Sequence, residues 1–153
     1  MKRAIAIIVA AAAAYAGYRW YDGTRAPVQH YIAFAEKILH RDFNAASEMT
    51  DGIPAANLEK QGTQEHIGAG PQMFQKLFPS RYTVESQETA ADGTLTLHAV
   101  QLVYFNPVGV ESAVRPAMIA RMNQTVGLRK TSSGWKVTSF ENKFASMDST
   151  SSR

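Results

Sequence analysis

From Pro27 to about Arg41 the apolar positions fall at Val28, Tyr31, Ile32, Ala35, Ile38 and Leu39. That i, i+3, i+4 spacing lines one side of a helix. Asp42 stands where it can cap a second short helix over Phe43–Met49, which Gly52 and Pro54 end. Gln61 to Gly70 is polar and glycine-bearing, the composition of a loop. Pro71 to Phe78 returns to helical spacing, with Met73, Phe74 and Leu77 on one face and Pro79 as the stop.

After Pro79 the period shortens to two. Tyr82 to Thr89 alternates, Ala91-Asp92-Gly93 turns, and Leu95 to Phe105 is a long β-rich run. Asn106-Pro107-Val108-Gly109 is a second turn, Ala117 to Lys130 a third strand, and Thr131-Ser132-Ser133-Gly134 leads into a last strand, Trp135 to Phe144. No internal repeat is visible. Helices first and an antiparallel meander afterwards predict an α+β domain, with the N-terminal helices packed on one face of a curved, cone-shaped sheet. Strands this long must bend, and Gly127 and Pro116 are the candidate bend or edge positions.

The N-terminal stretch has neither period. Lys2 and Arg3 precede an unbroken apolar run, Ala4 to Ala16, the layout of an export signal. Ala14-Tyr15-Ala16 offers a cleavage site, but the cluster Tyr15, Tyr18, Trp20 and Tyr21 with Arg19 has the composition of a membrane-interface belt. We therefore read a retained anchor. As a helix, Ala4–Tyr18 spans only about 22 Å against a hydrocarbon core of roughly 30 Å, so snorkelling by Lys2 and Arg3 and the aromatic belt would complete the crossing. The expected organisation is a transmembrane anchor over 1–21, a linker over 22–26, the domain over 27–145 and a disordered, serine-rich tail over 146–153. The basic start predicts an N-terminus in the cytoplasm and a domain on the periplasmic, extracytoplasmic side of the inner (cytoplasmic) membrane.

Charge then removes one class of function. The chain of 153 residues carries a net charge of +3, but Lys2, Arg3, Arg19 and Arg25 face only Asp22 at the start, leaving twelve basic and twelve acidic residues from Ala26 onward. A nucleic-acid binder needs a concentrated basic surface, so no nucleic-acid partner is expected. Cysteine is absent, which excludes disulfides and thiol chemistry.

Candidate chemistry is sparse. On the long strand Thr96, His98, Val100, Leu102 and Tyr104 share one face, and Leu95, Leu97, Ala99, Val103 and Phe105 the other, more apolar one. The second face is the expected core, which turns His98 and Tyr104, the only catalytic candidates, outward. His30, His40 and His66 lack metal-ligand spacing, and Glu36/His40 is an i, i+4 helix pair. Gly68-Ala69-Gly70 follows a loop rather than a strand, so a hinge or cap is favoured over a phosphate cradle. Ser47 and Ser80 lack any nucleophile context. Met118, Arg121 and Met122 are a candidate interaction surface, since methionine adapts to varied partners. Neither a metal nor a cofactor is predicted.

Two stretches resemble the nuclear transport factor two-like, or SnoaL-like, superfamily. His40-Arg41-Asp42-Phe43-Asn44-Ala45-Ala46 is similar to its first-to-second helix junction, and Gly127-Leu128-Arg129-Lys130 through Gly134-Trp135-Lys136-Val137-Thr138-Ser139-Phe140 to its last hairpin. The resemblance covers about Pro27 to Phe144, with Asn106 to Pro116 longer and less regular than the family's meander. It implies a helix-backed curved sheet, but not an activity, because the superfamily includes isomerases, dehydratases and non-catalytic modules. The layout of one anchor plus such a domain is similar to the inner-membrane assembly factors of type IV secretion systems. The expected function is a membrane-tethered, non-enzymatic interaction domain, an accessory subunit that docks onto a larger membrane complex or onto itself. The alternative is a small-molecule-binding protein or an isomerase- or dehydratase-type enzyme using His98 or Tyr104.

Overall fold

The computed structural model describes residues 12–64, 74–110 and 114–150, with side chains at 62–64 left aside. Three helices, α1 (Ala26–Leu39), α2 (Phe43–Glu48) and α3 (Ala55–Gln64), precede five strands: β1 (Phe74–Leu77), β2 (Arg81–Thr89), β3 (Leu95–Pro107), β4 (Met118–Thr131) and β5 (Gly134–Ser149). The α+β class and the curved antiparallel sheet agree with the sequence.

The linker expected over 22–26 is instead helical. A helix over 12–20 passes through a π-helical turn, Tyr21–Arg25, into α1 without a break. Pro27 supplies the reason. It has no N–H to give to the carbonyl four residues back, and the Ala26 N–H reaches past that register to the Tyr21 carbonyl. Asp22-Gly23 is therefore a widened helical turn rather than a chain reversal.

α1 buries Pro27, Tyr31, Phe34, Ala35 and Ile38 and ends at Arg41, whose φ is 59°. The Arg41 N–H reaches the Ile38 carbonyl at 3.0 Å and the Asp42 N–H the Lys37 carbonyl at 2.9 Å, the two bonds of a Schellman termination. Asp42 caps α2 as predicted, its carboxylate accepting from the Ala45 N–H at 3.4 Å. α3 falls where no helix is apparent in the sequence; it presents Leu58, fully buried, among polar neighbours. The helix expected over Pro71–Phe78 is replaced at Phe74–Leu77 by β1. Phe74 and Leu77 satisfy i, i+3 spacing, but pairing with Phe105–Pro107 of β3 decides their conformation.

β3 is the spine of the sheet. One edge pairs with β4, and the other with β2 and then β1, so β1 and β2 form one interrupted border strand. β4 pairs with β5 over Met118–Thr131, with irregularities at Arg121/Met122 and Gly127/Leu128. Such extra residues increase local twist and bend the sheet. A β-carbon at Gly127 would run into the Ser139 hydroxyl, so the bend position read from the sequence is also one where a side chain would be crowded. β5 runs to Ser149, beyond the expected end at Phe144, so Ser146–Ser149 belong to the sheet rather than to a free tail.

The helices cover the face of β3 that carries Leu95, Leu97 and Ala99, and Phe34 stacks edge-on against Phe140 at 5.0 Å. A second apolar cluster, Val103, Phe105, Ala120 and Met122, lies further along the same face beside Leu39 and Phe144. Leu39 and Phe144 thus both flank this cluster at one end of the domain. At the other end the Trp135 indole reaches Asp22. α1 and β5 therefore run in the same direction.

Candidate functional site

Between the two apolar clusters the inner face of the sheet turns polar at one level. On β3 Gln101 separates Ala99 from Val103; on β4 Gln124 separates Met122 from Val126; on β5 Asn142 separates Phe140 from Phe144. Since alternate residues share a face, each polar side chain is held in the core by its apolar neighbours. The groups satisfy one another. The Tyr31 hydroxyl donates to Gln124 Oε1 at 2.5 Å, and Gln124 Nε2 donates to Gln101 Oε1 at 2.7 Å and to Asn142 Oδ1 at 3.0 Å. Gln101 Nε2 donates to the Tyr82 hydroxyl at 2.9 Å, which donates to Glu36 Oε1 at 2.6 Å. Tyr31 and Tyr82 meet edge to face at 5.9 Å.

This relay starts on α1, crosses β4, β3 and β2, and returns to α1 at Glu36. Burial pushes the Tyr31 phenol well above the ordinary tyrosine range. Burial, then the hydrogen bond to the Glu36 carboxylate, does the same to Tyr82. Both phenols are held as donors, and a bonded network of this kind fixes the seating of α1 on the sheet. Nothing in the sequence pattern announces it: the members lie far apart, Tyr31 reads as one more position of the α1 apolar stripe, and the amides read alone as ordinary surface residues.

The sequence-derived catalytic candidates lie on the opposite face. His98 and Tyr104 are half-buried on β3, and six residues of strand separate them by about 20 Å, too far to act on one reacting atom. His98 Nδ1 faces the Thr125 hydroxyl at 3.4 Å. An ion pair on this face, Arg121 with Glu85 at 3.3 Å, joins β4 to β2. The three residues of the expected interaction surface are likewise divided. Met122 is 3 % exposed and packs against Val103 and Phe105, Met118 is half-buried at the edge of the same cluster, and Arg121 points to the other face. Alternation along β4 makes one shared surface impossible.

His30 Nε2 lies 3.1 Å from the Met49 carbonyl, and His40 pairs with Glu36 at 3.4 Å. His66 and Gly68–Gly70 lie outside the described residues. Among the described residues no three acidic or histidine side chains are grouped to hold a metal. The α1–α2 junction borders an open dent of about 270 Å³ lined by Phe43, Asn44, Ala55 and Ala56, where Arg41 stacks over Phe43 at 5.6 Å and pairs with Glu59 at 3.5 Å.

The remaining candidate is the helix that precedes the domain. Lys2 and Arg3 lie outside the described residues. Over 12–20 every side chain is exposed, with Tyr15, Tyr18 and Trp20 at 64 %, 60 % and 59 %. Arg19 is among them; Tyr21, also exposed, donates to Gln29 Oε1 at 2.7 Å, and Arg25 stacks over Trp20 at 5.7 Å. Two contacts then pin the helix to the β4–β5 hairpin: Lys130 pairs with the Asp22 carboxylate, and Trp135 Nε1 donates to the Asp22 carbonyl at 3.2 Å. Among the described residues no helix is long and apolar enough to cross a membrane; the apolar run Ala4–Ala16 lies mostly outside them.

Compared with protein-family models, with curated proteins and with solved structures, the chain matches none.

Proposed function

We propose that this protein is a membrane-tethered, non-enzymatic interaction domain, an accessory subunit of a larger membrane complex. Its N-terminal helix anchors it with the N-terminus in the cytoplasm and the domain outside. The observation that carries this reading is the cluster of exposed aromatics on a helix standing clear of the domain. Tyr15, Tyr18 and Trp20 stay more than half exposed, Trp20 with the Arg25 guanidinium over its ring. At a bilayer interface their rings enter the apolar boundary while their polar ends stay hydrated.

The interior supports the same reading. The inner face of the sheet carries side chains that bond to each other, and the two outward candidates are too far apart for concerted chemistry. A tether concentrates the domain at the membrane, where a modest interface is enough to hold a partner. The layout is similar to the assembly factors named above, and that likeness belongs to this proposal.

Alkaline carbonate extraction of membranes from the native host tests the tether. The protein is expected to stay in the pellet as a full-length chain. Release into the supernatant, or a mature chain beginning at Gly17, would overturn the reading.

A further inference from the structure

We infer that the β4–β5 hairpin of the domain seats against the phospholipid headgroups of the membrane that holds the tether, so that the domain stands on the bilayer in one fixed orientation. The inference rests on the tether reading and adds to it a second membrane contact, made by Lys130, Ser132, Ser133, Trp135 and Lys136.

The first support is rigidity. The helix over 12–20 enters α1 through the π-helical turn with no extended residue between them, so the domain does not swing freely on a linker. Asp22 is held from the side by Lys130 through its carboxylate and by Trp135 through its carbonyl.

The second is depth. At 1.5 Å per residue, Asp22 lies about 3 Å along the helix from Trp20. Headgroups occupy roughly 5–8 Å on each side of the hydrocarbon core. If Trp20 and Tyr21 mark the boundary of that core, Asp22 and the two side chains bonded to it lie within the headgroup layer.

Direction is the third. α1 and β5 run the same way, from Asp22 and Trp135 at one end, past Phe34 and Phe140, to Leu39 and Phe144 at the other. The turn Thr131–Gly134 therefore points back along the helix towards residues 12–20 and away from the second apolar cluster. Its chemistry suits phosphate esters: Ser132 and Ser133 are exposed hydroxyls, and Lys130 is exposed beside them. Lys136 extends to the Glu48 carbonyl at 2.6 Å on the same end. Such groups donate to lipid phosphates without entering the hydrocarbon.

The chain has two tryptophans, one on each side of this contact, and they separate the tether from the hairpin. The full chain is reconstituted in phosphatidylcholine/phosphatidylglycerol vesicles carrying a nitroxide either on the headgroup or deep in the acyl chains. Trp20→Phe leaves Trp135 as the reporter, and Trp135→Phe leaves Trp20. Headgroup nitroxide is expected to quench Trp135 about twofold more than deep nitroxide, the two labels being separated by most of the roughly 15 Å half-thickness of the core. Quenching of Trp20 but not of Trp135 overturns the inference and leaves the tether standing. Stronger quenching of Trp135 by the deep nitroxide also overturns it. Quenching of neither removes the tether reading itself. Since the chain has no cysteine, Ser133→Cys carrying a spin label measures the same depth with both tryptophans intact, and a label freely accessible to an aqueous relaxation agent contradicts the seating.

Discussion

The indole Nε1 of Trp135 donates a hydrogen bond to the backbone carbonyl of Asp22 at 3.2 Å, across 113 residues of sequence. It ties the last hairpin to the helical turn where the chain enters the domain. Trp135 is half-buried against the main core cluster, so Trp135→Ala removes the hydrogen bond and part of a ring. A loss of about 2 kcal/mol is expected in urea unfolding, with new proteolysis between Tyr21 and Arg25. Trp135→Phe keeps most of the ring and should cost about 1 kcal/mol. Equal losses for the two variants would mean that the indole nitrogen alone holds the joint.

The buried relay predicts a non-additive pair. Tyr31→Phe leaves Gln124 Oε1 without its donor inside the core, at an expected cost of about 1–3 kcal/mol. Gln124→Leu strands Tyr31, Gln101 and Asn142 together and should cost more. Because both act on one bond, the double variant should be less destabilised than the two losses added. Simple additivity in chemical denaturation would show that the bond carries no coupling.

The same relay sets the alkaline limit. Tyr31 and Tyr82 keep their protons in the folded chain beyond the pH at which unfolded tyrosine ionises. Above about pH 10 the unfolded state therefore binds fewer protons than the folded one, and stability falls as pH rises. The slope is at most about 1.4 kcal/mol per pH unit for Tyr31 and smaller for the more exposed Tyr82. Absorbance of tyrosinate should rise in two steps, the second coinciding with unfolding. In Tyr31→Phe the second step should shrink; an unchanged second step would place the perturbed phenol elsewhere.

At the acid end, Asp42 titrates below the usual carboxylate range because of its hydrogen bonds from Lys37 and from the Ala45 N–H. A depressed folded-state value gives stability that is present above about pH 4 and lost as pH falls through the folded-state value. Asp42→Asn keeps an oxygen at the cap and removes the charge. It should flatten the acid limb of a melting-temperature profile with little change at neutral pH. A limb unchanged in this variant would assign acid sensitivity to other carboxylates.

How much of this was legible in the sequence follows the range of the interactions. The stripe of α1, the Asp42 cap, the two faces of β3 and the bend at Gly127 are local patterns, and the structure bears them out. α3 gives little pattern because its buried Leu58 stands among polar neighbours, and Phe74–Leu77 has helical spacing while its strand character comes from pairing with Phe105–Pro107, far along the chain. The polar belt was invisible for the same reason. Gln101, Gln124 and Asn142 become core residues only when three strands align at one level. Met118, Arg121 and Met122 are neighbours in sequence, but strand alternation turns Arg121 away from the two methionines.

If the protein acts by contact rather than by chemistry, the outward candidates His98 and Tyr104 are dispensable. The most direct measurement is affinity purification of the full chain from detergent-solubilised native membranes, comparing the native sequence with His98→Ala/Tyr104→Phe. A stoichiometric partner, or a second copy of the chain, is expected to be recovered equally with both, with function retained. A chain recovered alone and monomeric, or a variant that assembles normally yet has lost all function, would contradict it.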